Sequence, residues 1–382
     1  MREMARELVR ELVRGTLRPA ALGRNNSHSL FSVIRPVTRS PLVGLAAVLA
    51  MAGATCGVMT LRTRTPAAPV PRFAPGERVL LDGHNAYPER GHWGDRLDSV
   101  LATGVPVAVE QDLHWVRRPG VGYASVVAHD SDAVAGAPTL EAHFFDRVGP
   151  LMEAALREGA RETWPLLVLN LDFKSNEPEH HAHVLALLRR HGRWLTHTVR
   201  TGTPGSATPL VPGPMLVLAG ADTGQRRVFH DDVGEGDTLW VFGALPPTPV
   251  PGKTREARAR NAVRLSPTEL IPRHAGNFQR WVNFPWSVVE EGGPRAAAAW
   301  TAADSARLQA LVQRAHAQGL WIRFYTLDGF APEQDRGFTA GYNFGSLRAV
   351  APRWRAAVAA GVDFIATDQY GDFAAARRIV PR

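Results

Sequence analysis

The hydrophobic pattern alternates between short apolar runs and longer stretches of helical spacing from Val79 onward. The short runs predict strands, and the longer stretches predict amphipathic helices. The predicted strands are Val79–Leu81, Val107–Val109, Leu166–Leu171, Met215–Leu218, Leu239–Phe242, Trp321–Tyr325 and Phe364–Ala366, and the predicted helices are Phe145–Arg157, His180–Arg190, Ala303–Ala317 and Arg353–Ala360. Alternation of this kind is typical of a parallel sheet covered by helices.

The extent of the alternating region narrows the fold class. Residues 78–382 match the size of a single (β/α)8 barrel of the TIM type, and a doubly wound sheet is the alternative. Residues 245–278 are rich in proline and arginine, which predicts a long connection rather than a separate domain. The sequence therefore predicts one α/β barrel domain.

An uncharged apolar segment precedes this region. Residues 41–61 contain no charged side chain, follow a basic segment at residues 1–40, and lead into a proline-rich linker at residues 62–77. Such a segment is long enough to be a signal peptide or a transmembrane anchor, and Ala52 and Ala54 provide a small-residue cleavage site. A buried core helix is the alternative. We expect an exported protein that is extracellular, periplasmic or anchored to a membrane by residues 41–61.

The net charge of +8 does not alter the predicted fold or localisation, because the excess of basic residues is confined to the N-terminal segment. Ten arginines and three glutamates lie in residues 1–64, which leaves 34 basic and 33 acidic residues in the rest of the chain. This near-balance gives no support for a nucleic-acid partner. The single cysteine, Cys56, excludes an intrachain disulfide and a cysteine-based zinc site.

Two carboxylates lie on one face of the predicted second strand, in the segment VAVEQDLHW. Side chains alternate along a strand, so Glu110, Asp112 and His114 share a face, while Val107 and Val109 share the other. Like charges that are buried together need compensation, and a hard divalent cation with oxygen ligands is the simplest kind. The alternative is an edge strand whose charges face water.

The third strand repeats this arrangement in LLVLNLDFKSN. Asn170, Asp172 and Lys174 share one face, opposite three apolar residues. Lys174 is one of only two lysines in a chain that otherwise uses arginine, the other being Lys253. An ammonium group is a compact point charge that suits a phosphate oxygen or a carboxylate.

Two histidines follow apolar runs at positions where a barrel has its active-site face. His84 follows the first strand, and His129 ends the run SVVAHD. They could act as general acid and general base, or they could join carboxylates as zinc ligands. A third group, His180, His181 and His183, opens a predicted helix, and we expect it to lie at the surface. The sequence contains no P-loop, no G-x-S-x-G and no G-x-G-x-x-G motif.

In chain order, these segments resemble the PLC-like phosphodiesterase superfamily, which includes glycerophosphodiester phosphodiesterases and phosphatidylinositol-specific phospholipases C. The resemblance is carried by a histidine after the first strand, E-x-D on the second, V-V-x-H-D soon after, and D-x-K on the third. The final segments WIRFYTLDG and GVDFIATDQY also look like the family's last two strands. The H-N-x-Y segment at residues 84–87 is similar to the branch with the fungal altered-inheritance-of-mitochondria phosphodiesterase-like proteins.

The resemblance implies a metal-dependent phosphodiesterase that cleaves a glycerophosphodiester or a phospholipid head group. It implies one divalent cation, Mg²⁺ or Ca²⁺, and it implies roles for six residues: Glu110, Asp112 and Asp172 as metal ligands, His84 and His129 as the acid–base pair, and Lys174 as a phosphate contact. Three departures leave the substrate alcohol open. Asn85 replaces a phosphate-binding arginine, Pro88-Glu89 only approximates a P-E-N motif, and Asp172 replaces a longer glutamate.

Further residues are candidates for substrate contact: Asn85, Trp321 and Tyr325. Phe324 and Asn283 are near these strand ends, and Arg273, His274 and Asn277 are candidates for the rim. Two other functions stay open. One is a catalytically silent barrel that binds ligands at the cell surface, and the other is a zinc metallohydrolase acting on amides or esters.

Overall fold

Eight parallel strands form a closed barrel in the computed structural model, which describes residues 73–120, 122–203, 205–334 and 339–378. The strands are β1 (Leu80–Gly83), β2 (Val107–Arg118), β3 (Leu167–Phe173), β4 (Met215–Ala219), β5 (Val241–Ala244), β6 (Gln279–Pro285), β7 (Trp321–Tyr325) and β8 (Phe364–Thr367). Each strand pairs with the next along the chain, and β8 pairs with β1. The predicted (β/α)8 barrel is confirmed, and the doubly wound alternative is wrong.

The helices that surround the barrel are α1 (Arg96–Leu101), α2 (Asp146–Glu158), α3 (Pro178–Arg190), α4 (Thr223–Arg226), α5 (Arg255–Asn261), α6 (Pro267–Leu270), α7 (Ala302–Ala317), α8 (Leu347–Ala360) and α9 (Tyr370–Arg377). A further strand, Gly122–Val127, forms an antiparallel hairpin with the end of β2. The four predicted helices are all present. Helix α8 begins earlier than predicted, because Ser346 caps its first turn and Pro352 is accommodated inside it.

Side chains point alternately outward and inward along each strand, so one apolar layer lies beneath the helices and another lies inside the barrel. Outward-facing residues such as Val109, Leu169 and Ile322 belong to the large core beneath the helices. Inward-facing residues form a second cluster inside the barrel, which includes Leu80, Ala108, Val168, Leu216, Phe242, Trp281, Trp321 and Phe364. This cluster fills the end where the strands begin. Polar side chains are therefore left to occupy the opposite end, where the strands finish.

The connection from β5 to β6 is long, as the proline and arginine content predicts. It holds α5 and α6, and it is followed by β6, which the sequence analysis did not predict as a strand. β6 begins with the polar pair Gln279 and Arg280 and places Asn283 on its inward face, so it lacks a continuous apolar run. β6 pairs in parallel with β7, and with β6 included the barrel has eight strands.

The start of the described chain packs on the bottom of the barrel. The ring centroid of Phe73 lies 5.1 Å from that of Trp321. Nearby, the buried carboxylate of Asp363 accepts hydrogen bonds from Gly76 N at 2.7 Å and Ile322 N at 2.9 Å, and it contacts His316 Nε2 at 2.9 Å. The candidate signal or anchor at residues 41–61 lies outside the described residues. Within the described ranges, no helix combines the length and apolar character needed to cross a bilayer.

A buried ion pair fixes the segment that follows β6. The guanidinium of Arg353 on α8 donates to both carboxylate oxygens of Glu290 at 2.5 Å, and Trp286 Nε1 donates to the same carboxylate at 2.6 Å. All three side chains are buried. Because Arg353 and Trp286 both donate to the buried Glu290 carboxylate, these hydrogen bonds fix the segment to α8.

We expect Glu290→Gln to destabilise the protein by about 3–5 kcal/mol, because it leaves the Arg353 guanidinium buried without its counter-charge. Chemical denaturation followed by circular dichroism measures this change. The neighbouring Glu291 is exposed, so Glu291→Gln is the matched control and is expected to change stability by less than about 0.5 kcal/mol. Equal stability of the two variants would contradict the prediction.

Candidate active site

Three carboxylates meet where β2 and β3 end. The β2–β3 register places Glu110 beside Asn170 and Asp112 beside Asp172. One oxygen from each of Glu110, Asp112 and Asp172 lies within 4.8 Å of the other two. Lys174 Nζ bridges two of these carboxylates, at 2.9 Å from Asp112 Oδ2 and 2.7 Å from Asp172 Oδ2. The face-sharing residues of the two strands thus form one charged cluster.

The donor set suits a hard divalent cation. Glu110 and Asp112 are buried, yet Glu110 Oε2 and Asp112 Oδ1 have no hydrogen-bond partner. Burial, together with the neighbouring charge of Asp172, raises the pKa of Asp112 to about 7. Unpaired buried carboxylate oxygens are costly, and a cation would satisfy them. Three carboxylates could hold Mg²⁺ or Ca²⁺ through oxygen alone, with Lys174 as the nearest mobile positive charge.

Arg323 supplies fixed positive charge beneath this cluster. It lies on the inward face of β7, is buried, and forms ion pairs with Asp82 Oδ2 and with Glu110 Oε1, the latter at 3.1 Å. Its Nη1 also donates to Asn283 Oδ1 at 3.1 Å. Burial alone would raise the pKa of Glu110, but Arg323 and His84 lower it. Glu110 is therefore held as a carboxylate.

His84 lies beside the carboxylates at the end of β1. Gly83 lets β1 approach α1 closely, since a Cβ there would lie 2.3 Å from Val100 Cγ2. His84 Nδ1 contacts Asp368 Oδ1 at 2.7 Å, and Nε2 lies 3.4 Å from Glu110 Oε2. Burial lowers the pKa of His84, but Glu110 and Asp368 outweigh it and raise the pKa to about 10. The imidazole is therefore held in its protonated form.

Asp368 is the centre of a network that sequence reasoning missed. It follows β8 and accepts hydrogen bonds from Asn85 Nδ2 at 3.2 Å, while Arg96 Nη2 lies 3.3 Å away. Its backbone N–H donates to the buried Asp328 at 2.7 Å. The pKa of Asp368 is lowered, because the raising effect of burial is outweighed by His84. The signal that could have found it is its position, since it directly follows an apolar strand like the other site residues.

His84, Asp328 and Asp368 also lie close enough to share an ion, which is the grouping that a zinc site would use. Their atoms are already engaged with one another: Asp328 Oδ1 accepts from Thr367 Oγ1 and from Asp368 N. In the carboxylate cluster, Asp112 Oδ1 is buried without a hydrogen-bond partner, whereas His84 and Asp368 already pair with each other at 2.7 Å. The contacts therefore favour an orienting role for this group.

The amide of Asn85 supports Asp368, the carboxylate that pairs with His84, since Asn85 Nδ2 donates to both Asp368 oxygens at 3.2 Å. Asn85 has a left-handed φ of +52°, a conformation that asparagine tolerates better than most residues. Its side chain contacts His84 Nδ1 at 2.8 Å and accepts a hydrogen bond from Tyr87 Oη at 2.6 Å. The predicted contact with substrate is not tested by this geometry, but most of the amide's bonding capacity is used within the protein.

His129 borders the same cavity from the hairpin side. Its side chain is 52% exposed, and Nδ1 contacts Asp130 Oδ1 at 2.7 Å. The buried Glu89 accepts from His129 N at 2.9 Å, and Arg90 pairs with Asp130 at 2.8 Å. Glu89, which approximates the P-E-N glutamate in sequence, thus positions the loop that carries His129. Nε2 of His129 has no hydrogen-bond partner among the described contacts.

One cavity of about 510 Å³ lies between the two histidines. It is lined by His84 and His129 with Asn85, Glu89, Arg96, Asp368, Arg255 and Tyr342, among others. The Tyr342 ring lies 5.7 Å from that of His84. This open, polar cavity carries both histidines, and His84 connects it to the carboxylate cluster through its contact with Glu110, so the groups needed for acid–base chemistry lie next to one another.

The remaining candidate residues for substrate contact lie at different depths along the barrel axis. Tyr325 ends β7 near Tyr342, at the site end of the barrel, and burial raises its pKa to about 12. Trp321 begins β7 and is buried at the opposite end against Phe73, so its predicted contact with substrate is wrong. Phe324 faces the outer core. Asn283 lies inside the barrel on Arg323.

Two groups lie away from the site. Arg273, His274 and Asn277 precede β6 and line a separate cavity near its start, so their predicted place at the rim is wrong. His180 and His181 are buried rather than at the surface, whereas His183 is exposed. His180 bridges two serines, with Nε2 at 2.8 Å from Ser125 Oγ, and burial lowers its pKa to about 4. His180 thus joins the hairpin to α3, while His181 packs against Phe173 and Phe229.

The comparisons with known proteins give distant likenesses of fold. No family model matches the chain, and a search of curated proteins finds no match. Among solved structures, it is similar to a glycerophosphoryl diester phosphodiesterase from Parabacteroides distasonis (15% identity, TM-score 0.37, covering 81% of this chain and 90% of that one). It is also similar to a calcium-dependent phosphoinositol-specific phospholipase C from Pseudomonas sp. (13%, 0.40, 79% and 91%).

A third similar structure is HPPK-DHPS from Plasmodium falciparum (8% identity, TM-score 0.40, covering 80% of this chain and 46% of that one). At these values the likenesses carry no weight for the function of this chain. Its function depends on the geometry of its own site.

Proposed function

We propose that this protein is a metal-dependent phosphodiesterase that uses His84 and His129 as a general acid–base pair. The observation that carries the proposal is the position of His84, which lies between the carboxylate cluster and Asp368 and lines one cavity with His129. The order of these residues along the chain also resembles the PLC-like phosphodiesterases. Export or membrane anchoring through residues 41–61 stays a prediction from the sequence.

Glu110, Asp112 and Asp172 would hold the divalent cation. The bound cation would neutralise charge on the phosphodiester and favour its attack by an oxygen nucleophile. Lys174 would turn from the carboxylates toward a non-bridging phosphate oxygen, where its point charge stabilises the crowded transition state. Arg323 keeps Glu110 ionised throughout, so that this ligand is ready to bind.

The two histidines divide the proton transfers. His129 Nε2 accepts the proton of the attacking hydroxyl, while Asp130 holds Nδ1. His84, whose Nδ1 is held by Asp368, donates from Nε2 to the oxygen that leaves as the P–O bond breaks. The nucleophile is water or a hydroxyl of the substrate, which would give a phosphomonoester or a cyclic phosphate.

The full chain, stripped of metal, is expected to hydrolyse bis(p-nitrophenyl) phosphate only after Mg²⁺ or Ca²⁺ is restored. His129→Ala is expected to reduce kcat by about 10²-fold, as loss of one general base does. The exposed histidine of α3 provides the control, and His183→Ala should keep activity within twofold, roughly the scatter between preparations. Metal binding without turnover on any phosphodiester would favour the silent barrel, and restoration by zinc alone on an ester or amide would favour the zinc hydrolase.

A further inference from the structure

A second cavity of about 680 Å³ lies beside the first at the mouth of the barrel. Its walls come from the β5–β6 connection, from the segment after β6, and from the ends of β6 and β7. The apolar part of the lining comprises Ala221, Leu245, Val250, Leu270, Phe284 and Val288. The volume falls in the range of cavities that bind small ligands, which are mostly apolar with a few polar groups.

The two cavities are neighbours that share one lining side chain. Arg255 lines both. The Tyr342 ring lies 5.7 Å from His84 on one side and 6.2 Å from Tyr325 on the other, and Tyr325 lines the second cavity. A ligand whose reacting group lies at His84 could therefore extend past Tyr342 into the apolar cavity.

The charge around the second cavity selects the kind of ligand. Arg255, Arg258, Arg260 and Arg295 line it, against a single carboxylate, Glu256. That carboxylate is already paired with Arg295 at 3.5 Å. Arg255 is exposed, and its guanidinium lies 5.9 Å from the Tyr342 ring, at the junction with the first cavity. An anionic group at the junction is favoured, while a cationic group would be repelled.

We propose that the second cavity binds the alkyl chain of the substrate, so that the substrate class is a phosphodiester that carries one apolar ester chain. This inference rests on the proposed function for the position of the phosphate at His84. The chain would lie between the apolar walls of the β5–β6 connection and the segment 286–296, and Arg255 would contact the phosphate from the cavity side. Each methylene buried there would strengthen binding by about fourfold.

The first arm of the experiment measures turnover. The metal-loaded full chain is assayed with methyl and octyl p-nitrophenyl phosphate below the micelle concentration. We expect kcat/KM to be at least about 50-fold higher for the octyl diester, since several methylenes are buried. Ala259→Trp, which fills the cavity from α5, should reduce kcat/KM for the octyl diester by tenfold or more and leave the methyl diester within about twofold, less than the contribution of one methylene.

Two further variants serve the turnover measurement, one as a control and one as a second way to fill the cavity. Ala257 is on the same helix but does not line the cavity, so Ala257→Trp should leave both diesters unchanged. Ala296 lines the opposite wall, and Ala296→Trp should repeat the loss for octyl if Ala259→Trp fails to fold, as judged by thermal unfolding. Equal kcat/KM for the two diesters in the wild-type protein would overturn the inference while the phosphodiesterase stands.

The second arm measures binding and needs no turnover. Methyl, butyl and octyl phosphate are titrated into the metal-loaded chain by calorimetry. Affinity that rises with chain length and is lost in Ala259→Trp supports the cavity even if neither diester is cleaved, in which case the proposed function fails and the inference does not. Affinity that is independent of chain length overturns the inference whether or not the diesters are cleaved.

Discussion

Asp112→Asn is expected to abolish divalent cation binding and to reduce turnover by about 10³-fold, equivalent to about 4 kcal/mol of transition-state stabilisation. Asp112 lies between Glu110 and Asp172 and has an unpaired buried oxygen. Asparagine keeps the shape of the side chain but removes its charge, so the remaining two carboxylates hold the cation too weakly. Calorimetric titration with Ca²⁺ and Mg²⁺ measures the first effect, and an assay with bis(p-nitrophenyl) phosphate measures the second.

The stability of the metal-free protein separates this effect from simple unfolding. The folded-state pKa of Asp112 is raised to about 7, so its ionisation opposes folding once the pH exceeds its ordinary value, and this cost is fully present above pH 7. Asp112→Asn removes the cost, and we expect its metal-free melting temperature at pH 8 not to fall below that of the wild type. Asp98→Asn, which removes an exposed ion pair with Arg147, is the control and should keep metal binding and turnover. Retention of both by Asp112→Asn would show that the cluster is not the cation site.

The carboxylate cluster was predictable because strand geometry is local. Alternation along β2 places Glu110 and Asp112 on the inward face once Val107 and Val109 are assigned outward, and the same reasoning applies to Asp172 on β3. The structure adds the register, which puts Asp112 beside Asp172. No property of either segment alone specifies that register, since it depends on how the two strands are staggered in the closed barrel.

The partners of His84 were not predictable in the same way. Asp368 and Arg323 lie more than 200 positions further along the chain, and they reach His84 and Asp82 only because β8 closes against β1. Asp368 follows an ordinary strand, and Arg323 is a single charged residue inside an apolar one. Trp321 is a different case: it begins β7, and the active-site face lies where the strands end, so the rule that located the other site residues already placed it at the opposite end.

The buried histidines of α3 show a different limit. His180 and His181 occur in a polar segment that opens a helix, which is typical of a surface. The β2 hairpin covers His180, whose ring stacks on that of Trp115 with centroids 5.4 Å apart, and His181 packs against Phe173 and Phe229. A tertiary contact thus overrides local polarity, because the two serines and Trp115 provide the polar and apolar partners that burial requires.

His84→Ala is expected to reduce kcat by about 10³-fold, within the range for loss of a positioned general acid. The substitution leaves the three carboxylates in place, so cation binding should change little. Because the cavity of about 510 Å³ beside His84 is open to solvent-sized molecules, added imidazole should restore part of the rate. His183→Ala serves again as control. A His84→Ala variant that kept more than a tenth of wild-type activity on a diester with an unactivated alkyl leaving group, which needs protonation to depart, would exclude His84 as the acid.

Asp368→Asn tests how His84 is held. The negative charge of Asp368 helps to raise the pKa of His84, which keeps the imidazole protonated well above its ordinary range. Removing that charge lowers the pKa, so a rate that needs protonated His84 should decline at lower pH than in the wild-type protein. A pH–rate profile of kcat checks this, with the alkaline limb displaced toward neutrality in Asp368→Asn. A reduced rate with an unmoved alkaline limb would mean that Asp368 only supports the structure, and that another group donates the proton.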